Sequence, residues 1–296
     1  MRQGDLRGEL RLLGRDSGIA SIQRLPGGYV AEVWLVTYVG GTRVVGKALT
    51  GAPVDLFRAE AEGLAALRST GHVSTPEVLG VTDRLLLLEP LKPRDDRESA
   101  WETFARDLAA LHRSITHEMF GWDRDGYLGR VVQQNLWTAD GHEFFATHRV
   151  LRYLDEPLVQ QELTRADLRA LECLCDRLPE IIPVMPAVLT HGDLWPGNIL
   201  SREDGRLTVI DPAVSCTWAE VDLSMLWCCQ RPPPSDRFFD VYQDLNPSPP
   251  GWRERMPLLH VRELLSSMSL LGNSDGSADR LRAVLAPFYP SDRPRA

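Results

Sequence analysis

Apolar residues recur at helical spacing between Asp55 and Arg68, where Phe57, Ala61, Leu64 and Leu67 define one face. The pattern predicts a helix that buries that face. Upstream the period shortens. Tyr29-Val30-Ala31-Glu32-Val33-Trp34-Leu35-Val36 is rich in β-branched and aromatic residues, and Arg43-Val44-Val45-Gly46-Lys47-Ala48-Leu49 can return beside it through a primed turn at Gly40-Gly41. Thr75-Pro76 leads into Val78-Leu79-Gly80-Val81, and Leu85 to Leu88 is an unbroken apolar run suited to a buried strand, which Glu89-Pro90-Leu91 ends. Further on, Ile199-Leu200 and Leu207-Thr208-Val209-Ile210 read as two short strands joined at Asp204-Gly205, a strong hairpin dipeptide. Two proline-rich segments, Arg231 to Ser235 and Asn246 to Gly251, bracket a helix and read as stiff surface loops that either rim a pocket or simply connect.

Chemistry concentrates around the predicted hairpin. His191-Gly192-Asp193-Leu194-Trp195-Pro196-Gly197-Asn198 precedes its first strand, and Asp211-Pro212 follows its second. A Pro-Gly turn between Asp193 and Asn198 lets both side chains face one space, and the hairpin returns Asp211 beside Asn198. That set resembles the centre of a kinase: Asp193 as proton acceptor and catalytic residue, Asn198 and Asp211 as oxygen ligands of magnesium. Magnesium prefers hard oxygen ligands and keeps several waters, so one amide and one carboxylate beside nucleotide phosphates suit it. A capping Asp in a turn is the plain reading of His-Gly-Asp alone. Lys47, on a strand next to a glycine hairpin, is the candidate for the α- and β-phosphates of ATP. Its carboxylate partner is expected to be Glu60, which borders the helix face, because Glu62 is rotated from it by roughly 200°. Gly27 and Gly28, ahead of the first strand, could let backbone amides approach phosphate, although the full G-x-G-x-x-G spacing is absent. In a kinase, Glu89 and Leu91 would lie at the hinge, their backbone groups facing adenine.

Composition fits this reading. The chain has 296 residues, 43% hydrophobic and 25% charged, enough for a sizeable core arranged as one two-lobed unit. A net charge of −8 argues against a nucleic acid or anionic membrane partner. No run approaches the roughly 18 apolar residues of a membrane span, and the first residues lack a signal-peptide core, so a soluble, cytoplasmic protein is expected. The five cysteines, at positions 173, 175, 216, 228 and 229, lack paired Cys-x-x-Cys spacing, which speaks against a disulfide framework or a zinc site. Cys173 and Cys175 lie in a helix-like run and read as packing residues.

The order Lys47, Glu60, Leu85 to Pro90, His191 to Leu200 and Ile210-Asp211-Pro212-Ala213 resembles the fructosamine kinase (ketosamine-3-kinase) family, relatives of the aminoglycoside phosphotransferases. The resemblance covers most of the chain. Its specific marks are Arg68-Ser69-Thr70-Gly71, Asn135-Leu136-Trp137 followed by Phe144-Phe145 and Arg149, the Trp195 of His-Gly-Asp-Leu-Trp, and Glu220-Val221-Asp222-Leu223. It implies an α+β, bilobal protein-kinase-like fold: a small β-sheet lobe over residues 1–91, with the hinge near 89–91, and a larger, mostly helical lobe over 92–296. It implies ATP and Mg2+ as cofactors, transfer to a hydroxyl of a small sugar-like molecule, Asp193 as the base or orienting residue, and Trp195 as a wall of the acceptor pocket. His191 supports the loop. A monomer or weak dimer is expected.

The acceptor side departs from the family. Ser215-Cys216-Thr217-Trp218-Ala219-Glu220 stands where many members carry a Gly-His-Arg-Glu type sequence, and Ser267 falls where a His often precedes the Leu-Phe-Gly element. Trp218, Glu220 and Ser267 are therefore the acceptor-side candidates. Tyr29 occupies the place of a redox-active Cys found in some members, which excludes a thiol switch there. Ketosamine phosphorylation at the 3-hydroxyl is one reading; inactivation of an aminoglycoside or sugar-containing nucleoside antibiotic is the other. A nucleotide-binding pseudokinase is a third, opposed by the presence of Lys47, Asp193, Asn198 and Asp211.

Overall fold

The computed structural model describes residues 2–27 and 30–289. Two compact units make up the chain, the first from residues 1–114, 196–213 and 232–245, the second from 115–195, 214–231 and 246–296.

The first unit is built on a five-stranded antiparallel sheet. Helix α1 (Gln3–Leu12) is followed by β1 (Ile19–Leu25), β2 (Glu32–Tyr38), β3 (Arg43–Ala48), α2 (Leu56–Ser69), β4 (Val78–Val81), β5 (Leu85–Leu88) and α3 (Glu98–Ser114), with strand order β1-β2-β3-β5-β4. The β2–β3 turn uses Gly40 and Gly41 at φ 99° and 91°, positions that a side chain would strain. Side chains alternate across β3: Val44 and Ala48 pack with Leu6 and Leu10 of α1, Trp34, Val36, Leu85 and Leu87. Lys47 consequently points to the opposite face, in register with Val33 on one side and Leu86 on the other. That face is where α2 lies, and α2 buries Phe57, Glu60, Gly63, Leu64 and Leu67.

Two local expectations are corrected here. The second strand begins at Glu32 and runs to Tyr38, two residues beyond the expected end, and Tyr29 lies outside the described residues. Ala61 sits at the edge of the buried face of α2 while Glu60 is inside it, because a carboxylate with a lysine partner can be buried at a position where hydrophobic pattern alone would not place it. Helix α1 and strand β1 were not among the expected elements. Strand β1 is an edge strand with only half-buried and exposed positions, so its alternation is weak, and α1 buries little more than Leu6 and Leu10.

The expected hairpin is present as Ile199–Ser201 paired with Leu207–Val209, turning through Gly205 at φ 85°. It is anchored in the first unit: the Val209 amide donates to Ser74, and Lys92 and Ser201 exchange backbone bonds of 2.8 and 3.0 Å. The helix between the proline-rich segments spans Ser235–Leu245 and packs on α3 through Trp101, Phe104 and Phe238.

The second unit has a three-stranded sheet in the order Ser215–Thr217, Ala187–Thr190, Thr116–His117. Around it lie helices Arg165–Ile181, Glu220–Cys228, Trp252–Leu259, Val261–Leu271 and Ser277–Leu285. Cys175 is buried in the first of these, and all five cysteines are free thiols. The family-specific segment folds into a structural clamp: Arg149, 2% exposed, donates to Asn135 Oδ1 at 2.6 Å and stacks over the Phe144 ring at 4.4 Å. Among the described residues no helix is long and apolar enough to cross a membrane.

Candidate active site

In the first unit, Lys47 Nζ lies 2.6 Å from Glu60 Oε1 and 2.6 Å from Asp211 Oδ1. Glu60, not Glu62, faces the lysine. Burial works against charge on Lys47, but the two facing carboxylates outweigh it and hold the ammonium well above the ordinary lysine range. Glu60 is raised by burial, against the pull of Lys47, and Asp211 raises it further. The rise on Lys47 comes from the two carboxylates that share it and the rise on Glu60 first from burial; with both carboxylates ionised the cluster carries one negative charge in excess. The side chains of Lys47 and Glu60 are 12% and 10% exposed, whereas Asp211 is 36% exposed and so keeps an open side.

Asp211 follows the hairpin directly. Its backbone is left-handed, φ 57°, the one non-glycine residue of that kind among those described. Asp tolerates this region better than most residues, at a cost of about 1–2 kcal/mol. Asn198, 5% exposed, ends a tight turn that begins at Pro196, and its carbonyl accepts from the Ile210 amide at 3.0 Å. That bond brings the residue before Asp211 beside Asn198. A carboxylate and an amide oxygen, next to an excess negative charge and an open side, fit a magnesium ion that completes its shell with water and phosphate. Lys47 fits nucleotide phosphate as a buried, permanently charged donor.

Glu89 serves the framework with its side chain. Its carboxylate takes Arg202 Nη1 at 2.5 Å and the Glu77 amide at 3.0 Å, and its own amide donates to the Glu77 carbonyl at 3.0 Å. Glu89 and Leu91, two residues on, are both half-buried. Gly27 is exposed with φ 99°, and nothing approaches within 4 Å of where a Cβ would stand. Gly28 lies outside the described residues.

In the second unit, the strand Ala187–Thr190 delivers the His191–Trp195 loop. The His191 and Gly192 amides both donate to Asp222, at 2.8 Å each, and Asp222 is fully buried in the helix Glu220–Cys228. The Asp193 amide donates to His191 Nδ1 at 3.2 Å, which makes His191 a loop support with its ring proton on Nε2. From the other side, Arg262 Nη2 donates to the Gly192 carbonyl while Nη1 donates to Gln133 Oε1 at 2.8 Å. Gly192, at φ 79°, is the pivot. The loop's backbone is thus gripped on both faces, and the Asp193 and Trp195 side chains it carries are half-buried.

The three acceptor-side candidates are all engaged in internal contacts. Trp218 is 1% exposed, in a cluster with Phe120, Phe145 and His142 at ring distances of 5.8, 5.6 and 5.3 Å, so it is a core residue. Glu220 is 2% exposed and forms a two-bond fork with Arg255 at 2.8 and 2.5 Å, which occupies both its oxygens. Ser267 donates to Asp275 at 2.6 Å and helps pin the turn ahead of the helix Ser277–Leu285. Asp222 and Arg262 were the residues that sequence reasoning passed over. Asp222 stood in a motif where Glu220 drew the attention; Arg262 is a charged residue within the apolar run Val261, Leu264, Leu265, Met268, and that anomaly was the available signal.

A family model described as fructosamine kinase matches residues 9–285. The probable ketoamine kinase YniA of Escherichia coli strain K12 is 33% identical over 290 residues, covering 93% of this chain and 98% of its own. A crystal structure of a candidate fructosamine-3-kinase from Thermobifida fusca matches with a TM-score of 0.82 at 35% identity, over 94% of this chain and 96% of that one. Aminoglycoside phosphotransferase APH(4)-Ia, at 15% identity and a TM-score of 0.63 over 95% and 98% of the two chains, shares the α+β, protein-kinase-like fold alone.

Proposed function

The chain belongs to the fructosamine kinase family, and from that premise we propose that it transfers the γ-phosphoryl group of ATP to the 3-hydroxyl of a ketosamine, a sugar joined to an amine. The observation that carries the reading is the Lys47–Glu60–Asp211 cluster, since a buried ammonium shared by two carboxylates is the arrangement that holds nucleotide phosphates beside a divalent ion. Residues 1–91 are taken as the nucleotide lobe, with the Glu89 carbonyl and Leu91 amide at adenine and Gly27 over the phosphates.

Lys47 neutralises charge on the α- and β-phosphates, and Glu60 keeps its ammonium aimed. Asn198 and Asp211 hold magnesium, which when bound offsets the charge that develops on the transferred group. Asp193 accepts a hydrogen bond from the attacking hydroxyl and orients it. Phosphoryl transfer has a loose transition state, so positioning contributes more than full deprotonation of the nucleophile. Asp222 and Arg262 support this by fixing the peptide that carries Asp193. Trp195 is the aromatic wall on which a sugar face can rest. The antibiotic reading rested on departures at Trp218 and Ser267, and both are accounted for by internal contacts.

ATP consumption measured with fructosyl-lysine, ribosyl-lysine, aminoglycosides and sugar nucleosides tests the proposal. Turnover on the ketosamines is expected, and turnover confined to the antibiotics would overturn it. Asp193→Ala is expected to lower kcat by at least about 100-fold while leaving ATP affinity within a few-fold. Full activity in that variant would remove the role given to Asp193.

A further inference from the structure

In the first unit, strand β5 is followed by the short link Glu89-Pro90-Leu91-Lys92, and both ends of that link are fastened to the hairpin that carries Asn198 and Asp211. At the far end, the Lys92 amide donates to the Ser201 carbonyl at 2.8 Å and the Ser201 amide returns a bond to the Lys92 carbonyl at 3.0 Å. At the near end, Nη1 of Arg202, the next hairpin residue, donates to Glu89 Oε1 at 2.5 Å. The fastening continues past the link. The Asp95 amide donates to Ser201 Oγ at 2.8 Å, and Arg94 Nη1 donates to the Pro196 carbonyl. Pro90 fixes its own φ, so little freedom is left between the two ends.

Arg202 reaches furthest of these residues. Besides Nη1 on Glu89, its Nη2 donates to the Thr75 carbonyl at 2.7 Å and its Nε to Ser74 Oγ at 2.9 Å. Ser74 in turn meets the second hairpin strand, where the Val209 amide donates to its carbonyl and Thr208 Oγ1 to its Oγ, each at 2.9 Å. One guanidinium thus joins the approach to β4, the exit of β5 and both hairpin strands, a task for a planar fork that a single ammonium cannot fill. Glu89 is held from the other side as well, its second oxygen accepting the Glu77 amide at 3.0 Å. Both side chains of the Arg202–Glu89 pair are 29% exposed, so solvent screens it less than an open surface pair.

The geometry points to Arg202 as a positioning residue for the nucleotide, one that sets the backbone of Glu89 and Leu91 at a fixed distance from Asn198 and Asp211. The inference rests on the proposed ATP reading, in which those two backbone groups meet adenine, and it names the residue that registers the adenine end against the metal end. Arg202 is suited to this by its place in the chain. It directly follows the strand Ile199–Ser201, which begins next to Asn198, so a few extended residues separate the fork from the metal ligand. A nucleotide gripped at both ends binds more tightly than its parts only when the two grips are held at the right spacing beforehand. The phosphate grip itself does not pass through Arg202, because Lys47 is held by Glu60 and Asp211. Loss of Arg202 should therefore weaken what the base contributes and spare what the phosphates contribute.

The test is calorimetric titration of the wild type and of Arg202→Met with ATP and with inorganic tripolyphosphate, both in excess magnesium, with folding checked by circular dichroism. The wild type is expected to bind ATP more tightly than tripolyphosphate, which has no base. In Arg202→Met the Kd for ATP is expected to rise about 10-fold, while the Kd for tripolyphosphate stays where it was. An unchanged Kd for ATP overturns the inference, and so does an equal loss on both ligands, which would make Arg202 a framework residue only. Should Arg202→Met fail to fold, Arg202→Lys, which keeps the charge and loses the fork, is put through the same comparison with the same reading. In each of these cases a wild-type preference for ATP leaves the ATP reading standing. A wild type that binds tripolyphosphate as tightly as ATP overturns the adenine assignment of Glu89 and Leu91 and the inference with it, and one that binds neither overturns the ATP reading as a whole.

Discussion

His260 shows how a single residue can set the acid stability of the protein. Burial holds its imidazole at about 4 in the folded chain against an ordinary value of 6.5. Between those values the unfolded chain binds the proton and the folded chain does not, so stability present above pH 6.5 is lost as the pH falls toward 4. Relative to a His260→Gln variant, the wild type is expected to lose about 3 kcal/mol over that window, measured by urea denaturation at a series of pH values. A parallel pH dependence in the two proteins would contradict a buried neutral imidazole. At this scale much of the site was legible in the chain. Asp193, Asn198 and Asp211 announce themselves by spacing, and Glu60 by its phase on a helix. Trp218 and Glu220 were not legible, because burial among partners distant in sequence gives an aromatic and an acid the same look as a binding residue.

At the scale of elements, the contacts of Glu220 follow from the helix that carries it. The helix Glu220–Cys228 projects Glu220 onto Arg255 of the helix Trp252–Leu259 and Asp222 onto the His191–Gly192 amides, so one helical turn serves both the framework and the loop. Breaking a buried, forked ion pair leaves an uncompensated charge and costs about 3–5 kcal/mol. Glu220→Ala is accordingly expected to lower stability by that amount in chemical denaturation, with the acceptor KM of the folded protein little changed; a KM effect without loss of stability would return Glu220 to the acceptor site. The hairpin between Asn198 and Asp211 was predictable because its Asp-Gly turn and apolar strands are local. Helix α1 and edge strand β1 were not, because their burial depends on a sheet assembled from residues far along the chain.

For the whole molecule, the excess negative charge of Lys47, Glu60 and Asp211 makes ligand binding a stability statement. A ligand at about 100 times its Kd stabilises the folded state by about 2.7 kcal/mol. Thermal melts with ATP, with and without magnesium, are expected to show a larger shift when the metal is present. Asp211→Asn is expected to lose the magnesium-dependent increment and keep a smaller nucleotide-dependent one, and a full magnesium response in that variant would contradict the metal assignment. The family match over residues 9–285 runs through both compact units, so the resemblance read from short motifs extends to the entire architecture.

By itself the sequence determined the reaction class, the hairpin that carries Asn198 and Asp211, and the partnership of Lys47 with Glu60. These follow from local spacing, turn chemistry and helical phase, which short-range sterics impose wherever the segment lies. Only the tertiary structure decided that Lys47 also meets Asp211, 164 residues away, that Arg262 grips the Gly192 carbonyl from 70 residues away, and that Trp218 and Glu220 belong to the core. Such contacts depend on how helices and strands pack, and packing selects partners by shape and charge over distances along the chain that no local pattern encodes.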